Sequence, residues 1–212
     1  MQILTIPGRD GFAFCSNTYI VYADEGAHAC FVVDPGSERE VEGILRVLSE
    51  RKLKVSHILC THGHFDHVLG VHDLAAETGA KVAIHESEAK ALQSNRLSLA
   101  YMQMRSIKPL VPDILLTDGM LISNGEVTLR VLHTPGHTSG SVCFLASYAP
   151  ICITGDTVFL EDIGATHFPG GHGPTLLASL QKVLALPPQT RLYPGHGPET
   201  SVGHELACNP YL

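Results

Sequence analysis

A mixed α/β fold built from two similar halves is the architecture this sequence predicts. Short β-rich runs alternate with helical periodicity along the whole chain. Each half runs a series of strands into a further strand, a glycine-flanked polar loop and a helix, which reads as two βα units facing one another. The 212 residues suffice for one substantial core. With no linker or low-complexity stretch dividing them, residues 1–212 are expected to form a single domain.

The elements follow in order. Met1–Ile6 enters a strand-like run directly, with no charged leader and no small-residue cleavage site, so a cytoplasmic protein without a secretory signal is expected. Phe12–Tyr22 reads as a long strand and Ala29–Val33 as another, ending at Asp34-Pro35-Gly36. Ser37 and Glu40 fit a capping box, and Val41, Ile44, Leu45 and Leu48 follow at helical spacing. Val55–Cys60 is a strand, Val68, Val71, Ala75 and Ala76 mark a helix stopped by Gly79, and Lys81–Ile84 is a short strand. Glu86–Met104 reads as a helix broken by Pro109 and Pro112. Strands are then expected at 114–116, 120–122, 127–132, 142–145 and 151–153. Leu176, Leu177, Leu180, Val183 and Leu184 form an amphipathic helix ended by Pro187-Pro188, before a last short strand at Arg191–Tyr193.

Composition excludes several classes of function. Hydrophobic residues make up 44%, a soluble-globular proportion. No apolar run approaches the roughly 18–20 residues of a spanning helix, so no membrane partner is expected. A net charge of −7 without Lys/Arg clusters argues against a nucleic-acid partner. None of the six cysteines forms a C-x-x-C pair, and Cys30, Cys60, Cys143 and Cys152 sit in apolar strand-like runs. They read as reduced, buried thiols. Histidine is different, because 13 of them exceed what packing needs.

Those histidines converge on a pattern. Thr61-His62-Gly63-His64-Phe65-Asp66-His67 is an H-x-H-x-D-H run, leaving a strand and entering a helix. His137 in Thr134-Pro135-Gly136-His137-Thr138, Asp156 in Thr154-Gly155-Asp156-Thr157 and His196 in Tyr193-Pro194-Gly195-His196-Gly197 each follow an apolar strand-like run. His62 and His64, with Gly63 between them, can share one ion with a later histidine. Asp66 and His67 can share another with a second later histidine, and the two oxygens of Asp156 can bridge. Imidazole and carboxylate without thiolate suit zinc, iron or manganese, and argue for an open catalytic site over a closed structural knot. His28, His57, His72 and His204, and His85 and His133 at strand ends, read as surface or satisfied histidines.

This pattern resembles the metallo-β-lactamase superfamily over nearly the whole chain: Val33–Gly36, Thr61–His67, Thr134–Gly140, Thr154–Phe159 and Tyr193–Gly197. The resemblance implies a four-layer αβ/βα sandwich. It also implies two divalent ions, zinc first, with iron or manganese as alternatives. His62, His64 and His137 would hold one ion and Asp66, His67 and His196 the other, with Asp156 bridging and Asp34 supporting the ligand loop. Within the superfamily the likeness is to short, single-domain glyoxalase II (hydroxyacylglutathione hydrolase) proteins, carried by Gly155–Phe159, Ile163-Gly164, Phe168–Gly171 and Asn209–Leu212.

That likeness implies hydrolysis of a small-molecule thioester by a water-derived nucleophile shared between the ions and oriented by Asp66. A thiolate leaving group, with a pKa of about 8.5, departs without a strong general acid. The chain departs from its relatives at Ala165, where short members carry arginine, and at Pro198, where long members carry tyrosine. It also ends just after His196, so most glutathione anchors of the long members are expected to be missing. Arg96, Tyr101 and Arg105, in the expected cover over the site, are candidates to meet a substrate carboxylate, and His167 a candidate to replace an aromatic contact. The alternatives on the same scaffold are a lactonase, a mononuclear iron persulfide dioxygenase or a thioesterase for a thiol other than glutathione.

Overall fold

The computed structural model describes residues 1–8 and 16–212, which divide into two compact units: residues 1–116 with 123–128, and residues 117–122 with 129–212. The first unit contains β1 (Gln2–Ile6), β2 (Thr18–Tyr22), β3 (Ala29–Val33), α1 (Glu38–Arg51), β4 (Lys54–Leu59), α2 (Phe65–Val68), α3 (Val71–Thr78), β5 (Lys81–His85) and β6 (Ile114–Leu116). Its sheet runs in the order β1-β2-β3-β4-β5-β6. The first three strands pair antiparallel, and β3 through β6 pair parallel. Consequently β3, β4 and β5 end at the same edge, and the chain leaves that edge at Asp34, at Cys60-Thr61-His62 and at Glu86. Chemistry in open parallel sheets gathers at such carboxyl ends.

The helices cover this sheet for the reason their periodicity gives. Val41, Ile44 and Leu48 of α1 and Val71 and Leu74 of α3 are buried in one cluster with Ile20, Val32, Ile58 and Val82 of the strands. Ser37 caps α1 by accepting from the Arg39 N–H, and Gly79 closes α3 at φ 68.

The second unit holds β7 (Leu121–Ser123), β8 (Thr128–His133), β9 (Val142–Ala146), β10 (Ile151–Gly155), β11 (Val158–Phe159), β12 (Asp162–Ile163), α4 (Gly173–Leu184), β13 (Arg191–Pro194), β14 (Thr200–Ser201) and α5 (Val202–Cys208). Its sheet runs β14-β13-β10-β9-β8-β7, with β11 and β12 a separate hairpin. β10 is parallel to β13, and antiparallel pairing through β9 gives β8 the same direction. The carboxyl ends of β8, β10 and β13 therefore lead into His137, Asp156 and His196 respectively.

Several expectations differ from the structure. Glu86–Met104 is not one helix but three short 3-10 turns, Glu86–Glu88, Ala91–Gln93 and Ala100–Gln103. Leu99 and Met104 adopt left-handed φ of 61° and 52°, which no continuous helix accommodates. Local polar groups compete for the backbone as well: Ser94 Oγ accepts from Leu97 N and Asn95 Oδ1 from Ile107 N. The strand expected over Phe12–Tyr22 begins at Thr18, and Phe12–Cys15 lie outside the described residues. Leu177 faces out of α4, 47% exposed, one position beyond the buried Leu176. Among the described residues no helix is long and apolar enough to cross a membrane.

Candidate functional site

In the first unit the ligand loop hangs on Asp34. This carboxylate is buried, and its residue sits at a left-handed φ of 50° that turns the chain as it leaves β3. Oδ1 accepts from Thr61 N at 2.7 Å, and Oδ2 accepts from Thr61 Oγ1 at 2.6 Å and lies 2.9 Å from His67 Nδ1. A carboxylate accepts here, so His67 carries its proton on Nδ1 and its lone pair on Nε2. The Thr61 hydroxyl has given its hydrogen to Asp34, so it can only accept from His62 Nδ1, 3.1 Å away. His62 is thereby set to present Nε2 as well. One buried carboxylate thus selects the tautomer of two imidazoles.

Around it the loop is packed without slack. Ser16 Oγ donates to the Asp66 carbonyl at 2.6 Å, and Phe65 N donates to Ser98 O at 2.8 Å. Gly63 N donates to the buried Glu88 at 3.2 Å. The left-handed Leu99 follows directly after Ser98, so the broken geometry of residues 94–104 hands a carbonyl to the ligand loop that an intact helix would have kept. A Cβ at Gly36 would overlap the Asp66 carbonyl oxygen. Gly36→Ala is therefore expected to cost about 3 kcal/mol or more, a fall in Tm of about 6–12 °C by thermal denaturation.

His62, His64 and His67 are all buried, with ring centroids 4.6 Å (His62–His64) and 4.1 Å (His62–His67) apart. The ligand atoms of His62 and His64 lie within 4.8 Å of each other, as do those of Asp66 and His67. His67 Nε2 is 3.8 Å from Asp66 Oδ2. That is too long for a hydrogen bond and close to the separation of about 3.3–3.6 Å between two donors on one tetrahedral ion.

The second unit repeats the device. His137 Nδ1 donates to the Ala165 carbonyl at 2.7 Å, which leaves the lone pair on Nε2, 3.4 Å from Asp156 Oδ2. His196 Nε2 lies 3.6 Å from the same oxygen. Both separations match donors sharing an ion. The His137 loop is clamped by α4: His172 N donates to Gly136 O, Ser179 Oγ donates to Pro135 O at 2.7 Å, and a Cβ at Gly136, φ 133°, would overlap the Leu176 backbone. Gly164 is equally constrained, since a Cβ there would overlap the Asp156 carbonyl. The chemistry of both donor sets, imidazole nitrogens and carboxylate oxygens with the tautomers of His62, His67 and His137 fixed from behind, fits divalent ions of the zinc, iron and manganese type.

The substrate candidates are placed differently. Arg96 and Tyr101 are exposed, and Arg105 Nη2 lies 3.5 Å from Glu38 Oε2, a partner on α1. His167 is exposed and stacks at 4.2 Å on Phe168, whose ring stands edge-on to His137 at 6.4 Å. Sequence reasoning missed Ser16, Thr61 and Glu88 as supports of the ligand loop. Thr61 adjoins the motif and could have been found, but nothing local distinguishes Ser16 or Glu88. Two buried thiols are held away from the reactive thiolate form: burial, with Glu126 nearby, pushes Cys30 up to about 12, and burial with Asp34 nearby raises Cys60.

Comparison with known proteins agrees with this architecture. The family model described as the metallo-beta-lactamase superfamily matches residues 12–196. The hydroxyacylglutathione hydrolase GloC of Haemophilus influenzae is 30% identical over 203 residues, covering 94% of each chain. The crystal structure of BLEG-1 B3 metallo-beta-lactamase superposes with a TM-score of 0.92 at 32% identity, covering 100% of this chain and 99% of that one. TTHA1623 in a di-iron-bound form superposes with a TM-score of 0.84, also at 32% identity, with both chains fully covered.

Proposed function

The chain belongs to the metallo-beta-lactamase superfamily and has its fold, and on that premise we propose that it is a metal-dependent thioester hydrolase acting on S-acylglutathione-type substrates, S-D-lactoylglutathione among them. The observation that carries this reading is the pair of donor sets at strand carboxyl ends, made of imidazole and carboxylate with their tautomers set for metal. The relationship to GloC, a hydroxyacylglutathione hydrolase, supports the thioester.

In this proposal the ligand set is the one the resemblance implies: His62, His64 and His137 would hold one ion and Asp66, His67 and His196 the other, with Asp156 serving both. Zinc is the first choice. Iron and manganese suit the same ligands, and the di-iron form of TTHA1623 supports iron as an alternative. Bound there, two divalent ions would supply a water of lowered pKa and polarise the substrate carbonyl. The protein's own part is positional. Asp66 is the catalytic carboxylate, accepting a hydrogen bond from the attacking water and aiming it, while Ser16 fixes the Asp66 backbone. Asp34 holds His67 in the tautomer that can bind metal. A thiolate of pKa about 8.5 leaves unaided, which favours a thioester over an amide.

The test is a thiol-release assay on S-D-lactoylglutathione with metal content quantified. The expected result is one glutathione thiol and one D-lactate per turnover. The similarity to BLEG-1 favours a second reading, β-lactam hydrolysis. Protein carrying about two ions per chain that opens a chromogenic cephalosporin and releases no thiol would replace the first reading with the second.

A further inference from the structure

We propose that Glu161, His204 and Cys208 form a separate, solvent-accessible metal site, which takes a thiophilic divalent cation such as zinc or cadmium. Their ligand atoms lie within 4.8 Å of one another. His204 and Cys208 are four residues apart on α5, one turn, and so share a face. Glu161 comes from the turn of the β11–β12 hairpin, and its Oε1 lies 2.8 Å from His204 Nε2.

The triad is preorganised from below. Glu205, fully buried on α5, accepts from the Glu161 N–H at 3.0 Å, from Thr200 Oγ1 at 2.5 Å and from Asn209 Nδ2 at 2.8 Å. Asn209 Nδ2 also donates to Asp162 O at 3.1 Å, so Glu161 in the turn and the first residue of β12 are both tied to the end of the helix. Glu161 itself sits at a left-handed φ of 55°, a conformation this docking holds in place. A histidine–glutamate pair alone would account for two of the three groups but not for the thiol beside them.

The donor set decides the class of ion. One thiolate, one imidazole and one carboxylate disfavour magnesium and calcium and favour zinc-like ions, with a fourth position left to water. His204 and Glu161 side chains are 40% and 52% exposed and Cys208 is exposed, so an ion reaches them without burying uncompensated charge. A thiolate is the form that ligates such an ion, so binding displaces the Cys208 thiol proton.

The test uses full-length protein already carrying its resident metal, titrated with cadmium while ultraviolet cadmium–thiolate charge transfer is recorded. That signal reports thiolate alone, so it is blind to the imidazole and carboxylate sets described above. The wild type is expected to show a saturable band that zinc competes away. Cys15→Ser should retain it, and Cys208→Ser should lose it with thioester hydrolysis unchanged. His204→Gln should weaken cadmium binding by about tenfold or more, since even a ligand's hydrogen-bonding partner is worth about 10- to 100-fold. No band at saturating cadmium, a band that survives Cys208→Ser, or a band that disappears with Cys15→Ser would each overturn the proposal.

Discussion

Asp66→Ala is expected to lower the proposed thioester hydrolysis by about 10²- to 10³-fold or more, the scale of removing one group that stabilises developing charge. Metal content should fall at the same time from about two ions per chain toward one, because the proposed second ion loses its only carboxylate ligand besides the bridge. The substitution is clean for a structural reason. Ser16 Oγ touches the Asp66 backbone carbonyl, and Gly36 packs against that same atom, so neither depends on the carboxylate. Inductively coupled plasma analysis and steady-state kinetics on one preparation check both halves, with the melting temperature as the control. An Asp66→Ala protein with full metal content and wild-type kcat would remove Asp66 from the catalytic role.

Asp34→Asn is expected to weaken metal binding by about 10- to 100-fold while leaving the backbone in place, since asparagine tolerates the left-handed φ of 50° at this position. The cause lies in one proton. An amide nitrogen facing His67 donates where the carboxylate accepted, which drives the imidazole proton to Nε2 and occupies the lone pair that metal needs. Asp34→Ala removes the acceptor for Thr61 N, Thr61 Oγ1 and His67 Nδ1 together. It should cost about 3–5 kcal/mol of stability, the scale of breaking a buried charged network. Competition with a chromophoric chelator measures the first effect and thermal denaturation the second. Equal metal affinity in wild type and Asp34→Asn would show that the tautomer is not set from Asp34.

Position 165 has a related logic. Ala165 serves His137 through its backbone carbonyl, so its side chain can change without disturbing that ligand. The contact with His137 needs no particular side chain at this position.

Much of the molecule was legible because its signals are local. Helices α1 and α4 announce themselves through apolar spacing, and Gly79 through its position after the last apolar turn. The H-x-H-x-D-H run packs its donors into one strand-to-helix loop, where spacing alone implies a shared ion. Glu86–Met104 misled because its composition is helical, while the decisive forces come from elsewhere: Phe65 N recruits the Ser98 carbonyl, and Leu99 turns left-handed beside it. The hairpin at 158–163 and the helix at 202–208 are too short for periodicity to register.

The sequence by itself determined the fold class, the order of most elements and the residue types able to bind metal, since propensity, patterning and donor chemistry are properties of neighbours along the chain. Tertiary structure decided the rest. It set which ring nitrogen His62, His67 and His137 offer, with Asp34 reaching His67 across 33 residues of chain and Ala165 reaching His137 across 28. It also brought Glu161 within reach of His204 and Cys208, which read as unremarkable residues until a buried glutamate docks one turn on one helix. Hydrogen bonds and metal ligation act over a few ångströms of space, and only the folded chain determines which residues share that distance.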